Sequence, residues 1–383
     1  MNVLLVNPWA IINDEYYASG FVSAMNQFVK LDFATNKYYC GAKPNGQTYG
    51  IFFKKSQLMK ISKIRTVIRG LEYLLAWMKV IKIIVRGDYD VIHFHWLLMY
   101  MVDFRFLSML QKNKNKRFKL ILTAHNVIPH IDGKKSISML TKIYSCFDVI
   151  LVHGEAIKKE FEYYFPKLAY KVRIQFHGEY YKQDIRYYID ESDAKFLRVM
   201  ERAKHAKRKY IVFGGHYHNK GTDRFLKIWK EQMADTDSLL IILGKIDASY
   251  TELLEEIKVL PENVLMFEGF TEDNFMNFCI MNSDCICIPY RHASMSGIIY
   301  TAASFEKMVI CTECGAIAEY LENNADSIIC ENSEIGLTEA VNRVEMMSEE
   351  KIREMGRRLS ENIHEKYGWN TIADNLYRNV YLT

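Results

Sequence analysis

The sequence has no apolar segment long enough to span a membrane as a helix. The best candidate, residues 70–85, is interrupted by Glu72, Lys79 and Lys82, whereas a spanning helix needs about 20 mostly apolar residues in a row. The first residues, MNVLLVNPWA, contain neither the basic segment nor the cleavage site of a secretory signal. We therefore expect a cytoplasmic protein without a transmembrane helix.

The chain is also poor in proline, and it has no low-complexity segment or repeat of solenoid length. Only six of its 383 residues are proline, and 49% are apolar. This length and composition suffice for roughly two cores of ordinary domain size. We expect two domains, residues 1–185 and 186–368, and a last helix at 369–383 that packs back on the first domain.

The cysteine pattern does not indicate a disulfide framework. Eight cysteines without a secretory signal point to reduced thiols. Cys311 and Cys314 have a C-x-x-C spacing that suits zinc, but no second pair completes a finger or ribbon, and buried cysteine is common in apolar strands. His93 and His95 point to one face of a predicted strand, yet no carboxylate lies near them in sequence. We expect no metal site.

The charge is divided unevenly between the two halves of the chain. Residues 1–185 contain 27 Lys and Arg against 14 Asp and Glu, a balance of +13, and residues 186–383 contain 23 against 32, a balance of −9. Most of the basic excess lies in segments 52–86 and 112–119. The second half therefore cannot account for the net positive charge.

Segment 52–86 combines its cations with apolar residues at helical spacing. This pattern is typical of a helix that lies on an anionic membrane surface. A solvated helix face or a nucleic-acid patch is the alternative, but no nucleic-acid motif accompanies the charge. Four large residues in the segment favour the membrane: Phe52, Phe53, Tyr73 and Trp77.

Short apolar runs alternate with helical patterns along the whole chain. The runs lack a clean polar alternation, as parallel strands covered on both faces do. Two doubly wound α/β sheets are the natural interpretation. The predicted strands are 3–6, 91–94, 120–123, 149–152, 172–175, 210–213, 239–243, 264–267, 285–288, 308–311 and 327–330.

Histidines collect at the predicted carboxyl ends of these strands, where doubly wound sheets bind their ligands. One such histidine is usually structural, but eight of the eleven in the chain favour a functional site. The eight are His93, His95, His125, His130, His153, His177, His216 and His218.

Residues 285–320 have the layout of a βαβ unit with an anion site. An apolar strand ends at Pro289, a turn of small residues follows, a helix opens near Gly297, and the next strand ends in a turn at Gly315. The first turn of a helix has unpaired N–H groups and the positive end of the helix dipole. The sequence therefore predicts a phosphate here.

The ordered set of strand-end motifs resembles GT-B glycosyltransferases, and it is most similar to family 4-like enzymes of bacterial exopolysaccharide, capsule or lipid-linked oligosaccharide assembly. The motifs span nearly the whole chain, with residues 40–80 matched least. They are AHNVIPH, VHGEAIKKEF, FHGEYY, FGGHYHNKGTDRFL, IPYRHASMSGIIYTAASFEKMVICTECGAIAEYL and YGWNTIADNLYRNVY. The resemblance implies two Rossmann-like domains that face each other across a cleft, the first for the acceptor and the second for a nucleotide sugar.

The resemblance also implies donor-binding residues. Lys220 resembles the lysine that meets the donor diphosphate, and Gly215 lets the backbone approach it. A flexible ammonium beside a glycine turn is a phosphate site on physical grounds as well. The family usually has an arginine after the first glycine, and His216 stands there instead. Arg291, beside Tyr290, is the candidate for the second cation.

One departure from the family concerns two glutamates spaced eight positions apart. Aligned on Gly297, these positions are Ser294 and Ala302, so neither carboxylate is present. The backbone of Ser296 and Gly297 is still expected to cradle phosphate. Glu306, one helical turn beyond Ala302, is the candidate for ribose binding, and a role as a plain surface glutamate is the alternative.

For catalysis, His125 resembles the histidine of the family's N-terminal cleft, and His130 and Asp132 follow on the same loop. A neutral imidazole accepts a proton or binds a sugar hydroxyl near pH 7. We predict a metal-independent hexosyltransferase that takes a UDP- or GDP-sugar, needs no cofactor, and binds no nucleic acid.

The predicted acceptor is a lipid-linked or polysaccharide glycan, and the predicted location is the inner face of the cell membrane. Retention or inversion of configuration does not follow from the residues. A catalytically silent GT-B partner subunit and a non-hydrolysing nucleotide-sugar epimerase are the alternatives, because both would share the fold.

Overall fold

The computed structural model describes residues 1–11, 13–60, 63–112, 117–128, 133–179 and 186–383. The chain forms two compact units. We call Met1–Tyr180 together with Tyr367–Thr383 the N-terminal unit, and Tyr181–Lys366 the C-terminal unit. Each unit contains one parallel β-sheet with connecting helices. The predicted α/β class with two doubly wound sheets is confirmed.

The N-terminal unit has a seven-stranded sheet in the order β3-β2-β1-β4-β5-β6-β7. Its strands are β1 (Asn2–Asn7), β2 (Lys30–Asn36), β3 (Thr48–Phe52), β4 (Val91–Phe94), β5 (Lys119–Thr123), β6 (Val149–Val152) and β7 (Val172–Ile174). Its helices in this part of the chain are α1 (Asn13–Met25), α2 (Lys63–Arg86), α3 (Tyr100–Gln111), α4 (Gly133–Ser145) and α5 (Glu155–Tyr164).

The C-terminal unit has a six-stranded sheet in the order β10-β9-β8-β11-β12-β13. Its strands are β8 (Lys209–Phe213), β9 (Leu239–Gly244), β10 (Val264–Glu268), β11 (Cys285–Ile288), β12 (Met308–Thr312) and β13 (Ser327–Cys330). Its helices are α6 (Ala194–His205), α7 (Thr222–Ile228), α8 (Thr251–Glu256), α9 (Asp273–Met281), α10 (Ile298–Ser304), α11 (Glu334–Glu345) and α12 (Glu349–Tyr367).

The last helix, α13 (Trp369–Leu376), continues as a π-helical turn to Tyr381 and packs in the core of the N-terminal unit. Two glycines make room for its first residue. A Cβ atom on Gly20 would lie 1.9 Å from the Trp369 ring, and one on Gly178 would lie 2.6 Å from it. Because no side chain can share that space, glycine at both positions fits the indole of Trp369.

Both sheets place a crevice at the same point of their topology. The strand order reverses between β1 and β4 in one sheet and between β8 and β11 in the other. The loops that leave neighbouring strands there run in opposite directions, which opens a crevice at the carboxyl ends of the strands. The predicted site residues of each unit should therefore be sought at this edge.

All eleven predicted strands are present, but β2 and β3 were missed. The sequence of β2, KLDFATN, and that of β3, TYGIF, mix polar and small residues with apolar ones. β3 is also an edge strand with only one buried residue, so its sequence carries little apolar signal. A short edge strand needs less apolar surface than a central one.

Segment 52–86 is not one continuous helix, and the interpretation of its four large aromatic residues as membrane-facing is wrong. Phe52, Phe53, Tyr73 and Trp77 are all buried. The hydroxyl of Tyr73 and the indole N–H of Trp77 donate to one carboxylate oxygen of Asp103 in α3, at 2.7 and 2.9 Å. These aromatic residues therefore attach α2 to the rest of the unit.

Within the described ranges, no helix combines the length and the apolar content that a membrane span requires.

Candidate functional site

The first candidate site lies at the carboxyl edge of the C-terminal sheet. Here the loop after β8 and the loop after β11 are joined by their backbones. The N–H of Arg291 donates to the carbonyl of Asn219 at 2.9 Å, and the side-chain amide of Asn219 donates to the carbonyl of His292 at 3.0 Å. The structure thus brings together seven predicted residues: Gly215, His216, Lys220, Tyr290, Arg291, Ser296 and Gly297.

Glycines leave the backbone of the first loop open. Gly214 and Gly215 are both exposed, and Gly214 has a φ of +104°, which side chains with a Cβ rarely adopt. Gly221 has a φ of +66°, and a Cβ there would lie 2.0 Å from the carbonyl oxygen of Pro289. The loops can therefore approach each other closely. The N–H of Gly214 donates to the carbonyl of Leu243 at 3.0 Å, so Gly215 is the exposed glycine of this pair that presents its N–H to a ligand.

Lys220 provides positive charge beside this open backbone. Its ammonium nitrogen lies 3.8 Å from the ring centroid of Tyr290, and no carboxylate of the described residues forms an ion pair with it. Tyr290 is buried, and its hydroxyl lies 3.3 Å from the Ser296 hydroxyl. A cation held over an aromatic face keeps its full charge for an incoming anion.

Arg291 is held differently, because its charge is already paired. Its guanidinium donates to both carboxylate oxygens of Asp223 at 2.6 and 2.7 Å, and the hydroxyl of Tyr250 also donates to that carboxylate. Burial acts to raise the pKa of Asp223, but these hydrogen bonds outweigh it and hold the pKa below its usual value. A contact between Arg291 and a diphosphate stays a prediction.

His216 stabilises the loop after β8 and carries no charge at neutral pH. Its Nε2 lies 3.0 Å from the carbonyl of Leu243, which only accepts, so Nε2 carries the proton. Its Nδ1 then accepts from the hydroxyl of Thr222 at 3.0 Å. Burial lowers its pKa to about 4. The residue in the place of the family's arginine is therefore a neutral link to β9.

Sequence reasoning missed Arg224, which shapes the second loop. Its buried guanidinium donates to the carbonyl of Pro289 at 2.8 and 3.0 Å, to that of Tyr290 at 2.8 Å, and to the Asn332 side chain at 2.8 Å. No sequence pattern predicts that an arginine in a helix will donate to the backbone carbonyls of a distant loop. Arg224 fixes the turn that presents the Tyr290 ring to Lys220.

Glu306 does not lie with the other predicted donor residues. Helix α10 ends at Ser304, so Glu306 does not continue that helix, and it has a left-handed φ of +50°. It precedes the five-residue strand β12, whereas the site lies after the carboxyl ends of the strands. The two ends of such a strand are about 16 Å apart. The prediction that Glu306 follows Ala302 on one helix face is wrong, and its position separates it from Lys220.

The second candidate site lies at the carboxyl edge of the N-terminal sheet. It consists of five histidines that follow or end four neighbouring strands, and we call these residues the histidine cluster: His93, His95, His125, His153 and His177. The aromatic ring of Tyr17, a residue of α1, lies 4.4 Å from the ring centroid of His177 and 5.0 Å from that of His125. His130 and Asp132, the other predicted catalytic residues, lie outside the described residues.

Burial keeps the histidine cluster uncharged. It lowers the pKa of His93 to about 3 and that of His153 to about 4. The pKa values of His95, His125 and His177 lie well below the usual range, first because of burial and then because of repulsion from neighbouring imidazoles. The cluster therefore presents neutral rings at physiological pH.

A cavity of about 370 Å³ borders the cluster. The indole of Trp96 stacks flat on the imidazole of His125, with ring centroids 4.5 Å apart and an angle of 7° between the planes. Aromatic walls with a few polar groups are typical of sites for small organic ligands. The main lining residues are His95, Trp96, Tyr100, His125, Asn126 and Tyr144.

Two residues that line this cavity have three buried ring nitrogens without a hydrogen-bond partner in the described part of the chain. They are both nitrogens of His95 and the Nε2 of His125. An unpaired buried polar atom destabilises a fold by about 1 to 3 kcal/mol. Such atoms are often found where a ligand supplies the missing partner.

Asp14 is a further ionisable group at this edge that sequence reasoning missed. Its carboxylate accepts from the Trp96 indole at 2.8 Å and from the Asn7 side chain at 2.7 Å. Burial raises its pKa to about 6, and those two hydrogen bonds oppose the shift. Asp14 lies in the first turn of α1, where an aspartate usually interacts favourably with the helix dipole. Its burial beside the histidine cluster could therefore not be predicted from the sequence.

No group of three or more His, Cys, Asp or Glu side chains in the described ranges could hold a metal ion. Cys285, Cys287 and Cys311 of the central strands and Cys314, two residues after β12, are buried and free, as expected for cysteines that pack as small apolar residues. Metal independence of the reaction stays a prediction.

Part of the C-terminal unit matches a known protein family. Residues 208–345 match the family Glyco_trans_1_4, described as Glycosyl transferases group 1. This segment contains both loops of the first candidate site. No curated protein matches the sequence.

Solved structures of similar fold cover the whole chain. Sucrose-phosphate synthase from Thermosynechococcus elongatus is 13% identical with a TM-score of 0.70, and the match covers 100% of this chain and 99% of that one. HepE of Anabaena, solved with UDP and glucose, is 14% identical with a TM-score of 0.70 and full coverage of both chains. The catalytic domain of starch synthase IV from Arabidopsis thaliana, bound to ADP and acarbose, is 10% identical with a TM-score of 0.71, covering 100% and 98%.

These structural likenesses establish the GT-B fold, which confirms the predicted fold class. Together with the match of residues 208–345 to Glycosyl transferases group 1, they support a GT-B glycosyltransferase. The prediction of a hexosyltransferase is confirmed at this level. The more specific resemblance to family 4 enzymes of exopolysaccharide or capsule assembly stays a prediction.

Proposed function

We propose that this glycosyltransferase moves a hexose from a UDP- or GDP-sugar to a lipid-linked or polysaccharide acceptor in the synthesis of a bacterial surface glycan. The observation that carries the donor half of the proposal is that Lys220, which forms no ion pair with a carboxylate of the described residues, lies on the loop that exposes Gly214 and Gly215. HepE with UDP and starch synthase IV with ADP are consistent with a nucleotide donor.

The chemistry explains why such a site is needed. The acceptor hydroxyl oxygen forms a bond to the anomeric carbon, while the bond from that carbon to the diphosphate oxygen breaks. The nucleoside diphosphate leaves with the electron pair, so negative charge grows on its phosphate oxygens. Ammonium groups and backbone N–H groups that face those oxygens stabilise the transition state. Lys220 and the N–H of Gly215 are suited to this role, whereas the N–H of Gly214 already donates to the carbonyl of Leu243.

The acceptor half of the proposal rests on the cavity beside the histidine cluster. The residues that line it carry neutral imidazoles, an amide and hydroxyl groups, and its walls are aromatic and aliphatic. A neutral imidazole can form hydrogen bonds with hydroxyl groups. It has no net charge with which to attract a phosphate. This chemistry suits the sugar hydroxyls of a glycan acceptor better than an anionic group.

A membrane location is supported by the outer face of α2. One face of this helix is buried through Tyr73, Ala76, Trp77, Val80 and Ile84. Large apolar residues also line the opposite face, and they are 40 to 70% exposed. This exposed stripe consists of Ile64, Val67, Leu71, Leu74, Leu75, Met78 and Val85.

Exposed cations accompany the exposed stripe, namely Lys63, Lys79, Lys82 and Arg86. An apolar stripe with flanking cations suits an anionic lipid surface, because it combines apolar burial with charge attraction. A peripheral position at the inner face of the cell membrane would bring the enzyme to a lipid-linked acceptor. The four buried aromatic residues of segment 52–86 do not contribute to this exposed surface.

Calorimetry with nucleotides tests the donor proposal. The full chain is titrated with UDP, GDP and ADP and with UDP- and GDP-sugars, with Mg²⁺ and separately with EDTA. We expect micromolar to millimolar binding of UDP or GDP in both buffers, with glycosyl transfer to a lipid-linked acceptor. Absence of binding for every nucleotide in both buffers would refute the donor site.

Vesicle co-sedimentation tests the membrane proposal. Binding to anionic vesicles should fall at high salt because screening weakens charge attraction. The double variant Leu71→Glu with Leu75→Glu should lose binding, since both residues lie in the exposed stripe. The matched control is Val259→Glu with Phe270→Glu, two residues of the C-terminal unit that are 76% and 93% exposed. Equal binding of both double variants would remove the exposed stripe from the proposal.

A silent partner subunit remains the second candidate, because one observation favours it. The two positions that carry the family's glutamates hold Ser294 and Ala302, and both side chains are buried. Such a protein would bind nucleotide without turnover. Donor hydrolysis or transfer by the purified chain alone would exclude this alternative.

A further inference from the structure

A neutral imidazole carries its proton on one of two ring nitrogens, and the other nitrogen is a hydrogen-bond acceptor. For His125, that choice decides what the ring offers to a ligand in the cavity it lines. We propose that His153 is a positioning residue that holds His125 in the Nδ1–H tautomer, so that the Nε2 of His125 accepts a hydrogen bond from a sugar hydroxyl. This inference rests on the proposed glycosyl transfer.

The tautomer follows from a chain of hydrogen bonds that ends in a backbone carbonyl. The Nδ1 of His153 lies 2.9 Å from the carbonyl oxygen of Gln175. A carbonyl only accepts, so the Nδ1 of His153 carries the proton and its Nε2 is left as an acceptor. The Nε2 lies 3.2 Å from the Nδ1 of His125. The proton between the two rings therefore belongs to His125.

The end of this chain is fixed by the sheet. The N–H of Gln175 donates to the carbonyl of Val152, the last residue of β6, at 2.9 Å. Val152 directly precedes His153, and Ile174 directly precedes Gln175, so the ring and the carbonyl it donates to directly follow two neighbouring, paired strands. The direction of the chain is therefore set by strand pairing and not by a mobile side chain.

The consequence appears at the far nitrogen of His125. Its Nε2 is buried and has no hydrogen-bond partner in the described part of the chain. The flat stack on Trp96 fixes the plane of the ring. A hydroxyl group that reaches this nitrogen would satisfy it, after displacing the groups that cover it. With the other tautomer, the same position would present an N–H and would donate instead.

Among the described residues, the groups that act electrostatically on His125 are neighbouring histidines. The titratable rings nearest to His125 are Tyr17 of α1, His95 after β4, His153 after β6 and His177 after β7. Burial holds all four in their neutral forms. The carboxylate of Asp14 bonds to the Trp96 indole, which stacks on His125. The hydrogen bond from His125 to His153 is thus between two neutral rings.

Two substitutions of His153 separate positioning from plain structure. In His153→Gln, the side-chain oxygen reaches the place of Nε2 and keeps an acceptor for His125. In His153→Asn, the amide nitrogen takes the place of Nδ1 and keeps the bond to Gln175, but the acceptor for His125 is lost. His177→Gln is the matched control within the histidine cluster.

We expect His153→Gln to stay within about threefold of the wild-type kcat and His153→Asn to lose about tenfold, which is the usual effect of one hydrogen bond. A purely structural role predicts the reverse order, because only the Asn variant keeps the bond to Gln175. The reverse order, or equal loss in both variants, would overturn the proposal.

Nitrogen-15 NMR of histidine side chains reads the tautomer without any turnover. The signals of His125 among the eleven histidines are identified from their loss in His125→Asn. We expect an unprotonated Nε2 on His125 in the wild type and in His153→Gln, and a shift toward Nε2–H in His153→Asn. A protonated Nε2 in the wild type would refute the proposal.

The two readouts also separate this inference from the proposed function. If the NMR result is as expected but no glycosyl transfer or nucleotide binding is found, the positioning by His153 stands and the function fails. If transfer is found but the tautomer of His125 is unchanged in His153→Asn, the function stands and the positioning role fails.

Discussion

The two units use one topology for two opposite kinds of surface. Both sheets reverse their strand order beside their first strand, and both place their unusual residues at the carboxyl edge. In the N-terminal unit that edge is lined with neutral imidazoles and aromatic rings. In the C-terminal unit it is an exposed glycine backbone beside the ammonium of Lys220, which has no ion pair with a carboxylate in the described ranges.

The difference shows that the chemistry of these sites is set by the loops and not by the sheets. An edge of buried neutral rings suits a hydroxyl-rich ligand, whereas bare peptide groups and a cation suit a phosphate. The net charges of the two halves would suggest the opposite, since the first half is basic and the second is acidic. Local geometry, and not net charge, therefore determines which ligand each edge suits. Part of the basic excess of the first half lies on the exposed side of α2.

The largest expected effect is a difference in acid stability between the units. A histidine whose folded pKa lies below the unfolded value of about 6.5 stays neutral in the fold and takes up a proton on unfolding. Its stabilising contribution is complete above pH 6.5 and is lost as the pH falls. Among the residues that the structure describes, the N-terminal unit has five such histidines, the histidine cluster, and the C-terminal unit has His216.

Two carboxyl groups of the N-terminal unit act in the opposite direction. Burial raises the pKa of Asp14 to about 6 and that of Asp103 to about 7, so both keep a proton in the fold that they release on unfolding above about pH 4. They offset part of the histidine effect. A net uptake of about three protons destabilises the unit by about 4 kcal/mol per pH unit between pH 6 and 5.

Hydrogen–deuterium exchange at pH 7.5, 6.0 and 5.0 would measure this, after correction for the intrinsic exchange rates. We expect strands β4 to β6 to lose protection at pH 5 before strands β8 and β9 do. Equal loss in both units, or earlier loss in the C-terminal unit, would contradict the comparison.

The next effect concerns turnover in the N-terminal unit. Asn at position 125 keeps an amide nitrogen near the place of Nδ1 and can still donate to His153, but it has no group at the place of Nε2. We expect His125→Asn to lower kcat by at least about 100-fold, the usual scale of acid–base assistance, with melting temperature and nucleotide affinity nearly unchanged. Steady-state kinetics and calorimetry measure these quantities. Full turnover, or a parallel loss of stability, would exclude a direct role for His125.

Most of the fold was predictable from the sequence, because central parallel strands are nearly continuous apolar runs. β2 and β3 were not, because both mix polar and small residues with apolar ones, and β3 is an edge strand with one buried residue. The sequence also did not show which face of α2 is buried, because apolar residues lie on two faces of the helix. Only the packing in the structure shows that Tyr73 and Trp77 belong to the buried face.

The sites were predictable in position more than in chemistry. Strand-end motifs located Lys220 and His125 at the correct edges, because the carboxyl ends of parallel strands meet there. The pairing of Arg291 with Asp223 depends on residues 68 positions apart, and the chain from Gln175 through His153 to His125 crosses three loops. Such contacts leave no periodic signal in one sequence.

A smaller effect tests the donor edge. Lys220→Ala should weaken nucleotide binding by about 1.5 to 3 kcal/mol, the range of a hydrogen bond to a charged group. The control is Lys227→Ala, because Lys227 lies in α7, the helix that follows Lys220, but pairs with Glu334 at 2.9 Å on the surface. We expect the control to bind nucleotide normally in calorimetry, since exposed ion pairs contribute little. Unchanged affinity in Lys220→Ala would remove that residue from the site.

The smallest effect compares two neighbouring glycines of the same edge. Gly214 has a φ of +104° with open space around it, so Gly214→Ala should lower the free energy of unfolding by about 1 to 3 kcal/mol through backbone strain. Gly215 is not among the glycines with positive φ, and a Cβ there meets only the exposed ring of Tyr217, at 2.8 Å. Gly215→Ala should therefore spare stability and instead weaken nucleotide binding, because its methyl group lies on the surface proposed to face the diphosphate. Denaturant unfolding and calorimetry on both variants separate the two effects. If Gly215→Ala binds nucleotide as the wild type does, the open backbone is not the phosphate surface, and the contrast between the two edges is reduced to the cation alone.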